Sequence, residues 1–161
     1  MTLTIGPHAF EGTAVLAPLA SVTSAPFRQI CLEHGCSFAV TEMVASEALV
    51  RDARKSLRRT ERAASERVLV VQLFGADPRV MAQAAALVVE RSGASILDVN
   101  MGCPVRKILG GGAGVALMRD PERAEAIGAD LVHVYGAWAD PRSAYWGPCR
   151  LGRRPFVHTV Y

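Results

Sequence analysis

Two short apolar runs with one amphipathic stretch between them constrain this chain more than any other feature. Arg67–Leu73 and Ala94–Val99 are rich in Val, Leu and Ile, and the stretch between them opens at Pro78 and closes at Ser92-Gly93. Within it Met81, Ala84, Ala85 and Val88 recur at helical spacing, so the whole reads as strand, helix, strand. Strands this continuously apolar suit burial on both faces, as in a parallel sheet.

The same grammar extends upstream. Thr13–Pro18 reads as a strand stopped by proline. Ser24 then caps a helix with Pro26 in its first turn, where a missing N–H is no loss. Phe27, Ile30, Cys31 and His34 share one face of that helix, Gly35 ends it, and Ser37–Thr41 reads as the next strand. Ala45–Arg62 is expected to be helical over at least part of its length. There Arg51, Arg54, Lys55, Arg58 and Arg62 fall near one stripe, which is either a solvated face or a surface for RNA phosphates. Strand and helix in alternation predict an α/β fold on a parallel sheet.

Chemistry concentrates where the Ala94–Val99 strand ends. In Asp98-Val-Asn-Met-Gly-Cys-Pro-Val-Arg-Lys107, Asn100 and Cys103 pass into a loop at the C-terminal end of an inner strand. α/β barrels place their reacting groups at that end. The Gly110-Gly-Gly112 run behind it has neither the P-loop lysine spacing nor the dinucleotide glycine pattern, so it reads as a turn. Cys31, Cys36, Cys103 and Cys149 lack the dense pattern of a disulfide scaffold or a paired zinc motif, so reduced thiols and no metal are expected. Cys31 and Cys36 are expected to pack as small apolar groups.

A net charge of +3 is too mild to declare a nucleic-acid partner. No apolar window reaches the ~20 residues a bilayer needs. The opening Met-Thr-Leu-Thr-Ile-Gly-Pro-His lacks a secretory pattern. A cytoplasmic protein with no membrane partner is therefore the expectation.

The string DVNMGCPVRK, followed by GAGVALMRDP, resembles the signature of the tRNA-dihydrouridine synthases, and of their bacterial B-type members in particular. Leu16-Ala-Pro-Leu-Ala-Ser-Val-Thr-Ser-Ala-Pro-Phe-Arg28, Thr41-Glu-Met-Val44 and Val71-Gln-Leu-Phe-Gly75 extend the resemblance in the family's order. It covers roughly residues 10 to 127. It implies an FMN-dependent reduction of uridine to 5,6-dihydrouridine in tRNA, with NADPH as reductant and tRNA as partner. It also implies a TIM (β/α)8 barrel. Such barrels typically need about 250 residues, so the expectation is an incomplete barrel of the first four to five βα units in residues 1–127, followed by a divergent tail in 128–161.

The resemblance also assigns roles. Cys103 stands where the family keeps its acid, and ordinary thiols, titrating near about pH 8.5, have a proton to give at pH 7. Pro18 and Leu19 match a turn that contacts the flavin ring, with leucine in place of the usual methionine. Gln72 matches a glutamine at the flavin edge, and Asn100 an asparagine between flavin and substrate. Arg106 and Lys107, together with Arg54 and Arg58, are candidate RNA contacts. Glu42 is either a carboxylate beside the flavin or the partner of Arg28.

The tail lacks the family's Val-x-Val-Lys-x-Arg-like motif and its later histidine motif, and the only lysines are Lys55 and Lys107. A shifted reading frame or an internal deletion would each produce such a tail. Weak FMN binding, little turnover and association through open sheet edges are expected of the chain as written. Two other readings stay open at this point: a non-catalytic fragment with residual RNA affinity, and another FMN-dependent barrel enzyme that reduces pyrimidines.

Overall fold

A parallel sheet carries the molecule, and the helices that connect its strands pack against one face of it. The computed structural model describes residues 2–5, 7–128 and 158–159, with Ala53, His158 and Thr159 by their backbone alone. In chain order the elements are β1 (Thr2–Ile5), β2 (His8–Glu11), α1 (Ala25–Glu33), β3 (Val44–Ala45), α2 (Ser46–Arg51), α3 (Ala53–Leu57), β4 (Val70–Phe74), α4 (Pro78–Ser92), β5 (Ile96–Asn100), α5 (Arg106–Leu109), α6 (Pro121–Gly128) and β6 (His158–Thr159). Short 3₁₀ turns occupy Arg58–Thr60 and Gly114–Arg119.

The strand–helix–strand unit read from the sequence is present. β4 and β5 pair in parallel, with Val70 beside Ile96 and Leu73 beside Val99. Asp77 caps α4 by accepting from the N–H groups of Arg79 (2.8 Å) and Val80 (3.1 Å). Gly93 ends the helix at φ 68, a left-handed conformation that glycine adopts without a Cβ penalty. The named parallel strands lie in the order β3-β4-β5-β6. β6 sets His158 and Thr159 beside Val99 and Asn100. The fold is thus α/β, and among the described residues the sheet does not close on itself.

Period two sorts the strand residues into two cores. Val71, Leu73, Leu97 and Val99 face the helices and meet Met81, Ala84, Ala85, Val88, Leu117 and Ile127. Val70 and Ile96 face the other way and pack with Val40, Phe38, Ile5 and Phe10. The last two come from the antiparallel β1–β2 hairpin, which covers the inner face at the strands' N-terminal ends. The Phe10 and Phe38 rings lie 4.5 Å apart at 44°, a contact worth about 0.5–1.5 kcal/mol beyond its area. Sequence reading missed this hairpin, although Leu3 and Ile5 alternate with threonines just before Gly6-Pro7.

Two expectations are corrected, and a third, the helical Ala45–Arg62 stretch, is met with a break. The segments expected as the strands Thr13–Pro18 and Ser37–Thr41 are held by single parallel bridges, Leu16 to Ala39 and Val40 to Val70, rather than by full ladders. Ala45–Arg62 is helical over part of its length, as expected, in α2 and α3, with a break at Asp52, whose φ −147 and ψ 84 are not helical. Aspartate competes for the backbone in a helix interior, and the run of basic residues from Arg51 onward adds like-charge repulsion, so Arg51, Arg54, Lys55 and Arg58 are divided among α2, α3 and a 3₁₀ turn, with Arg62 beyond it. In α1 the expected apolar face is not the buried one: Phe27 is 38% and Ile30 53% exposed, whereas Arg28 is 1% exposed. The helix docks through an arginine whose charge and hydrogen bonds are satisfied inside, which apolar periodicity does not register. The expected 128–161 tail lies outside the described residues apart from Gly128, His158 and Thr159.

Candidate functional site

The inner face changes character along the strands. Above the apolar layer of Val40, Val70 and Ile96, the next inward positions are Gln72 and Asp98, and then Asn100. All three polar residues are essentially fully buried, so each needs partners to offset the loss of water. Gln72 Nε2 donates to Asp98 Oδ2 at 2.5 Å, and Asn100 Nδ2 donates to Gln72 Oε1 at 3.1 Å. The Gln72 N–H donates to Thr41 Oγ1 at 3.1 Å, which ties the neighbouring strand segment to this layer.

Asn100 is the hinge between this layer and the loop that follows. Its Oδ1 accepts from the Cys103 N–H at 2.9 Å and the Gly102 N–H at 3.3 Å. One carboxamide therefore orients the Met101–Cys103 turn from within while its nitrogen is held by Gln72. Cys103 is buried, at 7% exposure. Its carbonyl accepts from Val115 N at 3.1 Å, which fastens the Gly112–Met118 segment against the turn. Gly114 makes this approach possible: its φ is +62, and a Cβ there would stand 2.5 Å from the Cys103 carbonyl oxygen. Gly114→Ala is expected to lower stability by about 1–3 kcal/mol. Gly110→Ala, at a helical φ of −60 with its nearest added contact at 3.4 Å, is expected to change it by less than about 0.5 kcal/mol. Thermal unfolding of the two variants checks this contrast.

The other loops at this end converge on the same place. Pro18 is buried and Leu19 is 44% exposed, so Leu19 offers an apolar surface. Met43 sets its sulfur 3.8 Å from Asn100 Nδ2. Glu42 does not pair with Arg28, as one reading of the sequence had it. Its Oε2 accepts from the Ser21 N–H at 2.8 Å, and the partner of Arg28 is Glu66, at 2.6 Å. Sequence spacing could not foresee that pair, because the two residues are 38 positions apart and sit in segments with no common periodicity.

The four candidate RNA contacts fall into two groups. Arg106 and Lys107 are exposed at the start of α5, directly beyond the Cys103 turn. Arg54 and Arg58 instead line a cavity of about 490 Å³ with Arg62, Arg91 and Thr60. Arg62 is bonded there to the carbonyls of Glu66, Arg67 and Gly93. Those segments lead into β4 and β5, so the cavity lies at the sheet end away from Cys103.

Cys31, Cys36 and Cys103 are free thiols. Cys31 and Cys36 are half-buried rather than enclosed in the core. Burial is the main cause that pushes the Cys36 thiol above its usual range, against backbone hydrogen bonds at Leu16 and Phe38 that lower it, so it is a poor nucleophile. Among the described residues no group of three or more His, Cys, Asp or Glu side chains is arranged to hold a metal, and no helix is long and apolar enough to cross a membrane.

The match to known proteins follows the same residues. The family model described as Dihydrouridine synthase (Dus) matches residues 15–144, a span that runs past residue 127, where the sequence resemblance was expected to fade. A tRNA-dihydrouridine synthase B from Shewanella oneidensis is 45% identical over 117 residues, covering 73% of this chain and 36% of that protein. A probable tRNA-dihydrouridine synthase from Treponema pallidum is 44% identical over 121 residues, covering 75% of this chain and 36% of that protein. The chain spans a little over a third of the length of the curated relatives it matches. With the family model covering most of its length and the Asn100–Cys103 turn inside the matched region, the chain belongs to the dihydrouridine synthase family.

Proposed function

We propose that this chain carries the flavin- and uridine-facing part of a tRNA-dihydrouridine synthase, built on the first βα units of a TIM barrel. The observation that carries the reading is the Asn100 carboxamide, which holds the Cys103 turn at the C-terminal end of β5 while Gln72 holds Asn100 in turn. A thiol carried on a turn whose backbone is fixed through two successive hydrogen-bonded neighbours suits a proton donor, because general acid catalysis depends on placing the donor within reach of the acceptor atom.

The residues at this strand end suit a flavin. Leu19 offers an exposed apolar edge beside the buried Pro18, and the carboxamides of Gln72 and Asn100 can donate and accept together, as the rim of a flavin ring requires. Gln72 has one bond on each amide atom and so keeps capacity for a further one. FMN, itself reduced by NADPH, would supply the hydride for C6 of the uracil. Cys103 would give the proton to C5 and end as thiolate, with Arg106 and Lys107 close in sequence to steady that charge. A uridine reaches such a site only when turned out of its stack. By this reading Arg106 and Lys107 meet the tRNA next to the reacting base. Arg54 and Arg58, at the far end of the sheet, would contact it only through a separate part of the RNA.

The test is an absorbance spectrum of the purified chain before and after FMN is added, with a size-exclusion trace. Flavin absorbance co-eluting with a compact species supports the reading, in the weak, substoichiometric form expected of a sheet with an open edge. A compact chain that leaves all FMN free at concentrations of about 100 μM would overturn it.

A further inference from the structure

We infer that Glu42 is a positioning residue that sets the Pro18–Thr23 loop against the flavin. The inference rests on the flavin reading above and adds to it a residue that does not itself touch the ring. Beside the backbone bonds from the Val22 and Thr23 N–H groups to the Leu19 carbonyl, three side-chain tethers fix this loop, and only one of them comes from the strand end where the reaction is placed. The first is local: Thr23 Oγ1 accepts from the Leu19 N–H at 3.0 Å and donates to the Leu19 carbonyl at 3.1 Å. The second comes from behind, where Arg28 Nη1 donates to the Thr23 carbonyl at 2.7 Å. The third is the Ser21 N–H donating to Glu42 Oε2 at 2.8 Å across 21 residues of sequence.

Ser21 shows why the third tether is needed. It has φ 64, the one positive φ at a non-glycine residue among the described residues. A serine there is held against a local cost of about 1–2 kcal/mol, and such conformations persist where surrounding contacts impose them. Glu42 supplies a charge-assisted acceptor for the N–H of that residue. Its position follows directly on Thr41, whose hydroxyl meets the Gln72 backbone. The carboxylate therefore links the loop that bears Leu19 to the strand layer that bears Gln72 and Asn100. Leu19 is 44% exposed and has little packing of its own to place it. Thr23 still holds Leu19 within the turn and Arg28 still holds Thr23 from behind when Glu42 is lost, so the expected consequence is a shift of the Leu19–Thr23 turn as a unit, carrying Leu19 with it, rather than unfolding.

The test uses the full chain with Glu42→Ala and Glu42→Gln. Fluorescence titration is expected to show FMN binding weakened about ten-fold by Glu42→Ala, as preorganisation is lost. Glu42→Gln keeps an oxygen for the Ser21 N–H and should recover affinity to within about three-fold of wild type. Melting temperatures should stay within about 2 °C. Hydrogen exchange at the Ser21 amide, which needs no flavin, should lose protection in the alanine variant and keep most of it in the glutamine variant. Equal FMN affinity in wild type and Glu42→Ala would overturn the inference, as would a large fall in melting temperature in both variants. A wild-type chain that binds no FMN overturns the flavin reading and this role with it, and is told apart by the wild-type arm alone.

Discussion

Arg28→Ala is expected to cost about 3–5 kcal/mol of folding stability, which for a domain held by about 5–15 kcal/mol is enough to unfold much of the population on mild heating. The side chains of Arg28 and Glu66 are each 1% exposed. The guanidinium donates to Glu66 through Nε at 2.6 Å and Nη2 at 3.2 Å, and to the carbonyls of Thr23 and Glu61 at 2.7 and 2.5 Å. Glu66 Oε2 also accepts from the Ala63 N–H at 2.6 Å. Removing the arginine leaves a buried carboxylate with that one remaining donor, along with two carbonyls that lose theirs. The penalty is that of an uncompensated charge, so it should shrink when the charge is removed as well. Arg28→Met combined with Glu66→Leu is expected to recover roughly half of the loss or more. Urea denaturation of the single and double variants measures both values. A double variant no better than Arg28→Ala would show that the carbonyl contacts, and not the buried charge, carry the effect.

Cys103→Ala is expected to lower dihydrouridine formation by about 10²–10⁴-fold, the range general acid catalysis contributes. Single-turnover reactions with FMN, NADPH and a tRNA transcript, read by mass spectrometry of the nucleosides, would measure it at whatever rate the chain supports. The structure separates this variant from a simple folding defect. The Asn100 bonds that shape the turn go to the backbone N–H groups of Gly102 and Cys103, so alanine keeps them, and stability should change by no more than about 1 kcal/mol. Asn100→Ala removes the same bonds and should loosen the turn as well as slow the reaction. A Cys103→Ala chain that forms dihydrouridine at the wild-type rate would remove the thiol from the mechanism.

Reading the chain residue by residue carried well where the signal is local. The β4–α4–β5 unit is written in apolar runs, a proline opening at Pro78 and a glycine stop at Gly93, each of which acts within one or two turns of backbone, while the Asp77 cap emerged only from the structure. Asn100 and Cys103 could likewise be placed at a strand end, because period-two geometry and the Gly-Cys-Pro turn are features of neighbouring residues. The apolar face expected for α1 misled, since the helix is anchored by a buried ion pair whose other half lies 38 residues away.

Sequence alone was thus sufficient for the α/β class, the parallel β4–β5 pair and the family resemblance that singles out Cys103. The folded chain was needed to show that Glu42 serves Ser21 and not Arg28, that the β1–β2 hairpin covers the inner face beneath Val70 and Ile96, and that Arg54 and Arg58 lie at the opposite sheet end from Arg106 and Lys107. The physical reason is one of range. Propensity, capping and turn chemistry act between residues a few positions apart, whereas a buried charge or a strained backbone takes whatever partner the packed strands bring within about 3 Å.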